Sequence, residues 1–331
     1  MLIGVDIGGT KMLGLAASIA TGATDGAATV DVSAEHRVPT PPAGDALVES
    51  LIALVRVLER DSAHDVTALA VGIAGLIDRS GVVCYSPHLP DVVQLPLAQQ
   101  LRDTLKCPVV VENDLTTATL AEARLGAGRG CRDLIMIGLG TGIGTKFMID
   151  GELVRGANGF AGEAGHMTVD RGAALHVTGL PGAWEMFGSG TALGELARRV
   201  ATDGGAPSLV ALAGSAADVT GVTLASALDA GEASAPDALA VLDAYAEQVA
   251  IGVANLIMVL DPQRIILGGG VSEMGEPLRS RVEVAANRRV VGARIRPAVP
   301  VVLAELGERA GALGAVLAAN DTRGPVENPA I

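Results

Sequence analysis

Apolar and polar positions follow two periods along this chain, and the switches between them lay out its elements. Leu2 to Asp6 and Met12 to Ala17 read as short strands around the loop Ile7 to Lys11, with a third strand expected near Ala28 to Val32. From Asp45 onward Leu47, Leu51, Leu54, Val55 and Leu58 recur at helical spacing after a Pro/Gly start, which predicts one amphipathic helix. Leu69 to Ile73 and Val109 to Val111 are compact apolar runs suited to buried strands, and Leu115 to Leu125 reads as a helix after the second.

A second cycle begins at Asp133. A strand to Leu139 enters a Gly-rich turn, and a strand over Lys146 to Ile149 closes at Asp150-Gly151, a strong hairpin signal. Helices are predicted over Trp184 to Val200 and Ala238 to Leu260, the latter with Leu239, Leu242, Val249, Val253, Leu256 and Leu260 on one face. Arg264 to Leu267 is a strand running into Gly268, Gly269 and Gly270, and Ala310 to Ala319 reads as a final helix before a frayed tail over 322–331. The strand-loop-strand near Asp6 recurs in style at Gly138 to Lys146, which suggests an α/β protein of two related lobes.

Composition narrows the functional classes. At 331 residues two domains are the default. One Trp, two Tyr and three Phe leave little aromatic surface for stacking on bases, and a formal charge of -13 repels a phosphate backbone. Both features argue against nucleic acid as a partner. Cys84, Cys107 and Cys131 are dispersed and odd in number, which fits a reducing compartment and no disulfide framework. The first residues lack a basic start followed by an apolar stretch, and no apolar run is read as membrane-spanning, so a soluble cytoplasmic protein is expected, with no membrane partner.

Five motifs carry candidate chemistry. In Asp6-Ile7-Gly8-Gly9-Thr10-Lys11 the glycines let backbone approach an anion, the Thr10 hydroxyl and exposed amides can bond phosphate oxygens, and Asp6 is placed to hold hydrated magnesium. A plain Gly-Gly hairpin accounts for the same pattern. The order Thr-Lys is not that of a Walker loop. Gly138 to Gly144, which contains Gly140, Thr141 and Gly142, lies between strands, so a second phosphate turn suits it better than a dinucleotide fingerprint. Gly268-Gly269-Gly270 offers open backbone for a nucleotide, or is an ordinary strand-to-helix turn.

Glu112-Asn113-Asp114 ends a buried strand, where open α/β folds bind ligands. Helix capping explains one of these residues but not all three. In Gly162-Glu163-Ala164-Gly165-His166, followed by Glu185, two glycines argue for a loop that brings a carboxylate and an imidazole to neighbouring hydroxyls. A structural histidine is the plainer reading of His166 alone.

Taken in order, DIGGTK, GLIDRSGVVCYSP, VENDLTTATLAEA, IGLGTGIGTK, GFAGEAGH and VLDPQRIILGGGVS resemble the ROK family of sugar kinases and related repressors, from about residue 2 to about residue 320. The resemblance implies a two-lobed actin-like ATPase (ribonuclease H-like) fold with a ligand cleft between the lobes. The expected N-terminal lobe is 1–114 plus about 308–321, and the C-terminal lobe 115–307. It further implies Asp114 as general base and Asn113, Glu163, His166 and Glu185 on sugar hydroxyls. The nucleotide then falls to Asp6, Gly8, Gly9, Thr10, Lys11, Gly140, Thr141, Gly142, Gly268, Gly269 and Gly270.

The expected reaction is phosphorylation of a hexose by ATP with Mg²⁺, glucose first. Another hexose or an N-acyl-mannosamine is the alternative within the class, and a sugar-responsive repressor or a weakened sugar-binding protein outside it. A homodimer is expected from the same resemblance. Many members also carry Cys-x-Cys-Gly-x-x-Gly-Cys, whose thiolates bind structural zinc together with the histidine matching His166. Here that stretch is His176 to Ala183 with no cysteine, so no structural zinc is expected, and packing of Leu175, Val177, Leu180 and Pro181 is expected to hold the loop. His88 stands where many relatives have Asn.

Overall fold

The computed structural model describes residues 1–21, 28–42, 44–230 and 235–322. It resolves into two compact units, Met1–Gly130 with Glu152–Ala161 and the chain from Glu305 onward, and Cys131–Gly151 with Gly162–Ala304.

In the first unit β1 (Leu2–Ile7), β2 (Lys11–Thr21) and β3 (Ala28–Pro39) form an antiparallel meander. After α1 (Gly44–Ser62), β4 (Ala68–Ile73) pairs parallel with β1. A side sheet of β5 (Leu76–Ile77), β6 (Val83–Tyr85) and β7 (Val93–Leu95) and the helix α2 (Leu97–Leu105) then lead to β8 (Val109–Asn113), parallel to β4, and to α3 (Asp114–Leu125). The main sheet has the order β3-β2-β1-β4-β8. Ile3, Val5, Leu69, Val71 and Ile73 are fully or almost fully buried in one cluster with Leu47, Leu51, Leu54 and Leu58 of α1, so the expected helical stripe is the one that packs. β3 runs past Val32 because its remaining residues alternate half-buried and exposed. Only one face of that strand is covered, so no apolar run marks its end.

The second unit opens with β9 (Leu134–Leu139) and β10 (Ile143–Ile149), antiparallel to each other. Asp150 and Gly151 both take positive φ, 56° and 83°, as the Asp-Gly signal requires of a tight hairpin turn. A short β11 (Glu152–Leu153) follows, within the first unit's middle segment.

The single helix expected over Trp184 to Val200 is instead α4 (Glu185–Gly188) and α5 (Gly190–Thr202). Ser189 is extended, and its hydroxyl oxygen accepts from the Ala192 N–H to cap α5. A serine that can bond backbone amides competes with the helix at that point. α6 (Pro207–Ala213), α7 (Gly221–Asp229) and α8 (Ala235–Leu260) follow, then β12 (Arg264–Gly268), parallel to β9, α9 (Glu276–Asn287) and β13 (Val301–Leu303), parallel to β12.

α8 alone among the described residues is long and apolar enough to cross a membrane, although no such run was expected. Its Val241, Leu242, Tyr245, Val249, Val253 and Ile257 are buried in the core with Ile135, Ile137 and Ile265, and a core helix needs that composition.

The last element, α10 (Ala310–Asp321), returns to the first unit. It lies against β1 and α3 so closely that a Cβ on Gly4 would meet the Ala312 carbonyl oxygen at 2.4 Å, and one on Gly314 the Thr117 carbonyl oxygen at 1.7 Å. This packing keeps α3 with the first unit, so the units divide after Gly130 where the sequence suggested Asp114. Fully buried Glu122 reinforces it by accepting from the Ala127, Glu305 and Leu306 N–H groups. Apart from Thr322, the expected tail lies outside the described residues.

Candidate active site

Each unit gathers part of the predicted set at one end of its sheet. In the first, parallel pairing aligns Asp6 of β1 with Gly72 of β4, and Gly72 with Glu112 of β8. The carboxyl ends of these strands therefore share one edge, the usual ligand edge of an open α/β sheet. A Cβ on Gly72 would stand 2.6 Å from Thr117 Oγ1 and 3.4 Å from Asp114 Cα, so glycine is what lets α3 begin this close.

Asn113 caps α3, its Oδ1 accepting from the Leu115 and Thr116 N–H groups at 3.1 and 3.2 Å while its Nδ2 donates to the Gly75 carbonyl. Asp114 Oδ1 accepts from the Leu115 N–H at 2.8 Å, and the Thr117 hydroxyl donates to the Asp114 carbonyl. Capping thus accounts for Asn113, and Asp114 lies close enough to Asp6 for its charge to act there. Glu112 takes no part there and is paired with Arg155 at 2.6 Å.

The carboxyl of Asp6 is pushed up to about 7 by burial first and by the charge of Asp114 second, against a smaller pull from Lys11. A Cβ on Gly311, in the first turn of α10, would lie 2.5 Å from that carboxyl. Asp6 and Asp114 share this edge, and carboxylate oxygens are the donors a hard divalent cation takes. The Gly8-Gly9-Thr10 turn is closed by the Gly8 N–H donating to Lys11 O at 2.9 Å and braced by the Thr40 hydroxyl on Gly8 O. Gly9 passes His88 so closely that a Cβ there would come within 3.2 Å of the His88 Cβ. Lys11 ion-pairs with Glu308 at 3.0 Å, both side chains being exposed.

In the second unit β9 and β12 run in register to Gly138 and Gly268, which brings the two glycine turns together. Gly269 has φ 83°, and a Cβ on it would strike the Leu139 carbonyl at 2.5 Å. The Gly140-Thr141-Gly142 turn is tied to the start of α5 by the Gly190 N–H on Gly140 O (2.7 Å) and the Thr191 hydroxyl on Thr141 O (2.8 Å).

Glu185 lies against this turn. Its Oε2 accepts from the Ile143 N–H at 2.7 Å, and a Cβ on Gly142 would overlap it at 2.2 Å. Gly162 and Gly165 pass the carbonyls of Thr145 and Ile143 with no room for a side chain, and this carries Glu163 and His166 along β10. Glu163 pairs with Lys146, a nearly buried cation, at 3.2 Å.

The loop after His166 differs from expectation. Leu175, Val177 and Leu180 are 69%, 96% and 42% exposed, so they cannot hold it. Hydrogen bonds do: the His176 N–H donates to Leu180 O, the Gly182 N–H to Ala174 O and the Trp184 N–H to Met167 O. Next to the loop, Trp184 is fully buried and its Nε1–H donates to Gln248 O. His176 points inward, with Nε2 3.1 Å from Glu185 Oε1 and its ring 5.4 Å from that of His166. His166 Nδ1 is buried with no hydrogen-bond partner among the described residues. The ligand atoms of His166, His176 and Glu185 lie within 4.8 Å of one another.

The chain matches the model of the ROK family over residues 2–322. It belongs to the ROK family. A glucokinase of Streptomyces coelicolor is 35% identical over 319 residues, 95% of this chain and 96% of that one. The structure of a ROK family glucokinase from Streptomyces griseus in complex with glucose and AMPPNP is 34% identical, with a TM-score of 0.78 over 97% of this chain and 99% of that one. A ROK hexokinase from Thermus thermophilus gives 0.79 at 30% identity over 97% and 98%. The fold is accordingly the actin-like ATPase type of the ROK sugar kinases.

Sequence reasoning missed two residues of this ROK protein. His176 was detectable, because it stands where the family motif places its first cysteine and lies nine residues before Glu185. Lys146 was not, since a lysine inside an apolar strand gives no sign of which carboxylate it meets.

Proposed function

We propose that this chain transfers the terminal phosphoryl group of ATP to a hydroxyl of a hexose, glucose first, with Asp114 as the base. The observation that carries the reading is Asp114 at the carboxyl end of β8, close enough to the Asp6 carboxyl at the end of β1 for its charge to act there. The names and ligands of the S. coelicolor and S. griseus relatives favour glucose and a nucleotide triphosphate.

In this mechanism the Leu115 N–H holds Asp114 Oδ1 and so limits the carboxylate's rotation. The carboxylate takes the hydroxyl proton as the oxygen–phosphorus bond forms and the bond to the ADP oxygen breaks. Asn113, Glu163, His166 and Glu185 orient the sugar hydroxyls, and positioning supplies most of the rate. The backbone of Gly8 to Lys11, Gly140 to Gly142 and Gly268 to Gly270 receives the nucleotide. Asp6 would hold Mg²⁺ through water, and that ion, when bound, neutralises charge on the phosphate oxygens. Subunits pair as a homodimer in the cytoplasm.

The test is ADP release from Mg·ATP across a panel of hexoses and N-acyl-hexosamines. Glucose is expected to give the highest kcat/KM. Silence with every sugar would reject the kinase, and a better N-acyl-hexosamine would move the substrate.

A further inference from the structure

We infer that His176 is a positioning residue, a proton-bearing latch that fixes Glu185 and backs His166 with no metal ion in the loop. The inference rests on the sugar-kinase reading for its role, but not for its geometry.

The hydrogen-bond pattern around His176 fixes its tautomer. The Thr178 backbone N–H donates to Nδ1 at 3.4 Å, and the Thr178 hydroxyl lies 2.9 Å from the same nitrogen. A backbone N–H only donates, so Nδ1 must present its lone pair and the ring proton must sit on Nε2. That proton is aimed at Glu185 Oε1, 3.1 Å away, and a carboxylate only accepts. The chain Thr178 to His176 to Glu185 is therefore satisfied at each step by a neutral ring.

A metal at this place would need the Nε2 lone pair, and so would have to expel that proton and break the bond to Glu185. Of the two other loop positions, Ala183 has no donor and Thr178 is spent on Nδ1. The three remaining ligand atoms are close enough to hold an ion, but the direction of the Thr178 amide opposes it.

With Oε2 on the Ile143 N–H and Oε1 on His176, Glu185 is clamped at both oxygens, each keeping a second lone pair for a sugar hydroxyl. The tilted His176 ring also backs His166. His176 thus touches two of the candidate sugar-binding groups and none of the residues assigned to nucleotide.

Three measurements on the full chain test this. In ¹⁵N-resolved histidine spectra of the wild type, His176 is expected as the neutral Nε2–H tautomer. The Nδ1–H form, or shifts of a metal-bound ring, overturns the latch. Metal analysis after purification without chelator is expected to find well under one zinc per chain, and stoichiometric zinc that His176→Ala removes would make the cluster a metal site.

In kinetics, His176→Ala is expected to raise the KM for glucose about 10- to 100-fold, the loss of one charge-assisted hydrogen bond. The KM for ATP stays within about twofold because no nucleotide contact is removed, and His176→Gln, which keeps a donor, recovers much of the loss. An unchanged glucose KM, or both KM values rising together, contradicts the assignment. If the wild type phosphorylates no hexose, the kinase reading fails while the tautomer and metal measurements still decide His176. If His176→Ala does not fold, the wild-type spectra decide between the Nε2–H tautomer and a metal-bound ring, together with the zinc content of the wild type.

Discussion

Asp6 couples the candidate chemistry to stability. Burial, then the charge of Asp114, hold its carboxyl near 7 instead of 3.8, so the folded protein binds this proton more tightly than the unfolded chain does. The stabilisation tied to that proton is complete below the unfolded value and is lost as pH rises through about 7. Asp6→Asn, which cannot ionise, is therefore expected to be more stable than wild type at pH 8 by on the order of 1–3 kcal/mol, with the difference vanishing near pH 4. Denaturant unfolding without nucleotide or Mg²⁺ measures it, and equal curves at pH 8 would contradict the strain. Asp114→Ala is expected to lose about 10²–10⁴-fold in kcat while retaining ATP binding, as removal of a positioned base does. Near-normal turnover would take Asp114 out of the mechanism.

At the scale of elements, glycines decide how closely helices approach. Gly252 of α8 lies under Trp184, where a Cβ would stand 2.1 Å from the indole. Gly252→Ala is expected to cost about 1–3 kcal/mol or more by overpacking. Trp184 is the protein's one tryptophan, so its fluorescence reports the displacement directly. Because Glu185 follows Trp184, glucose affinity should fall in the same variant, which separates this strain from a change confined to the core. Gly314→Ala sets a Cβ against the Thr117 carbonyl, and backbone cannot give way as a side-chain tip can. That variant is expected to yield little folded protein, measured as the soluble fraction on expression.

On the scale of the whole molecule, charge dominates what can be foreseen. A net charge of -13 opposes association with a polyanion. Incubated with DNA fragments at physiological salt, the protein is expected to retain none sequence-specifically, and specific retention would favour the repressor branch of the family. The two units share a construction, an antiparallel pair followed by parallel strands with the glycine turn after the first strand. That kinship was legible as the return of strand-glycine-strand near Gly138. The small sheet β5 to β7 and the helices α2, α6 and α7 were not anticipated. The strands are two or three residues long and carry no period, whereas Leu97, Leu101 and Leu105 of α2 do recur at helical spacing and that signal went unread.

Sequence alone determined the main elements with large apolar faces, the strand-end position of Asp114, and the absence of thiolates between His176 and Ala183. Each follows from residue type and local spacing, which need no partner to be read. Tertiary structure decided the rest. It gave α3 to the first unit through Gly314, split the helix at Ser189, and left Leu175, Val177 and Leu180 in solvent. It also turned His176 onto Glu185. Those outcomes depend on which distant backbone or side chain arrives at a given atom, and packing settles that only after the whole chain has closed on itself.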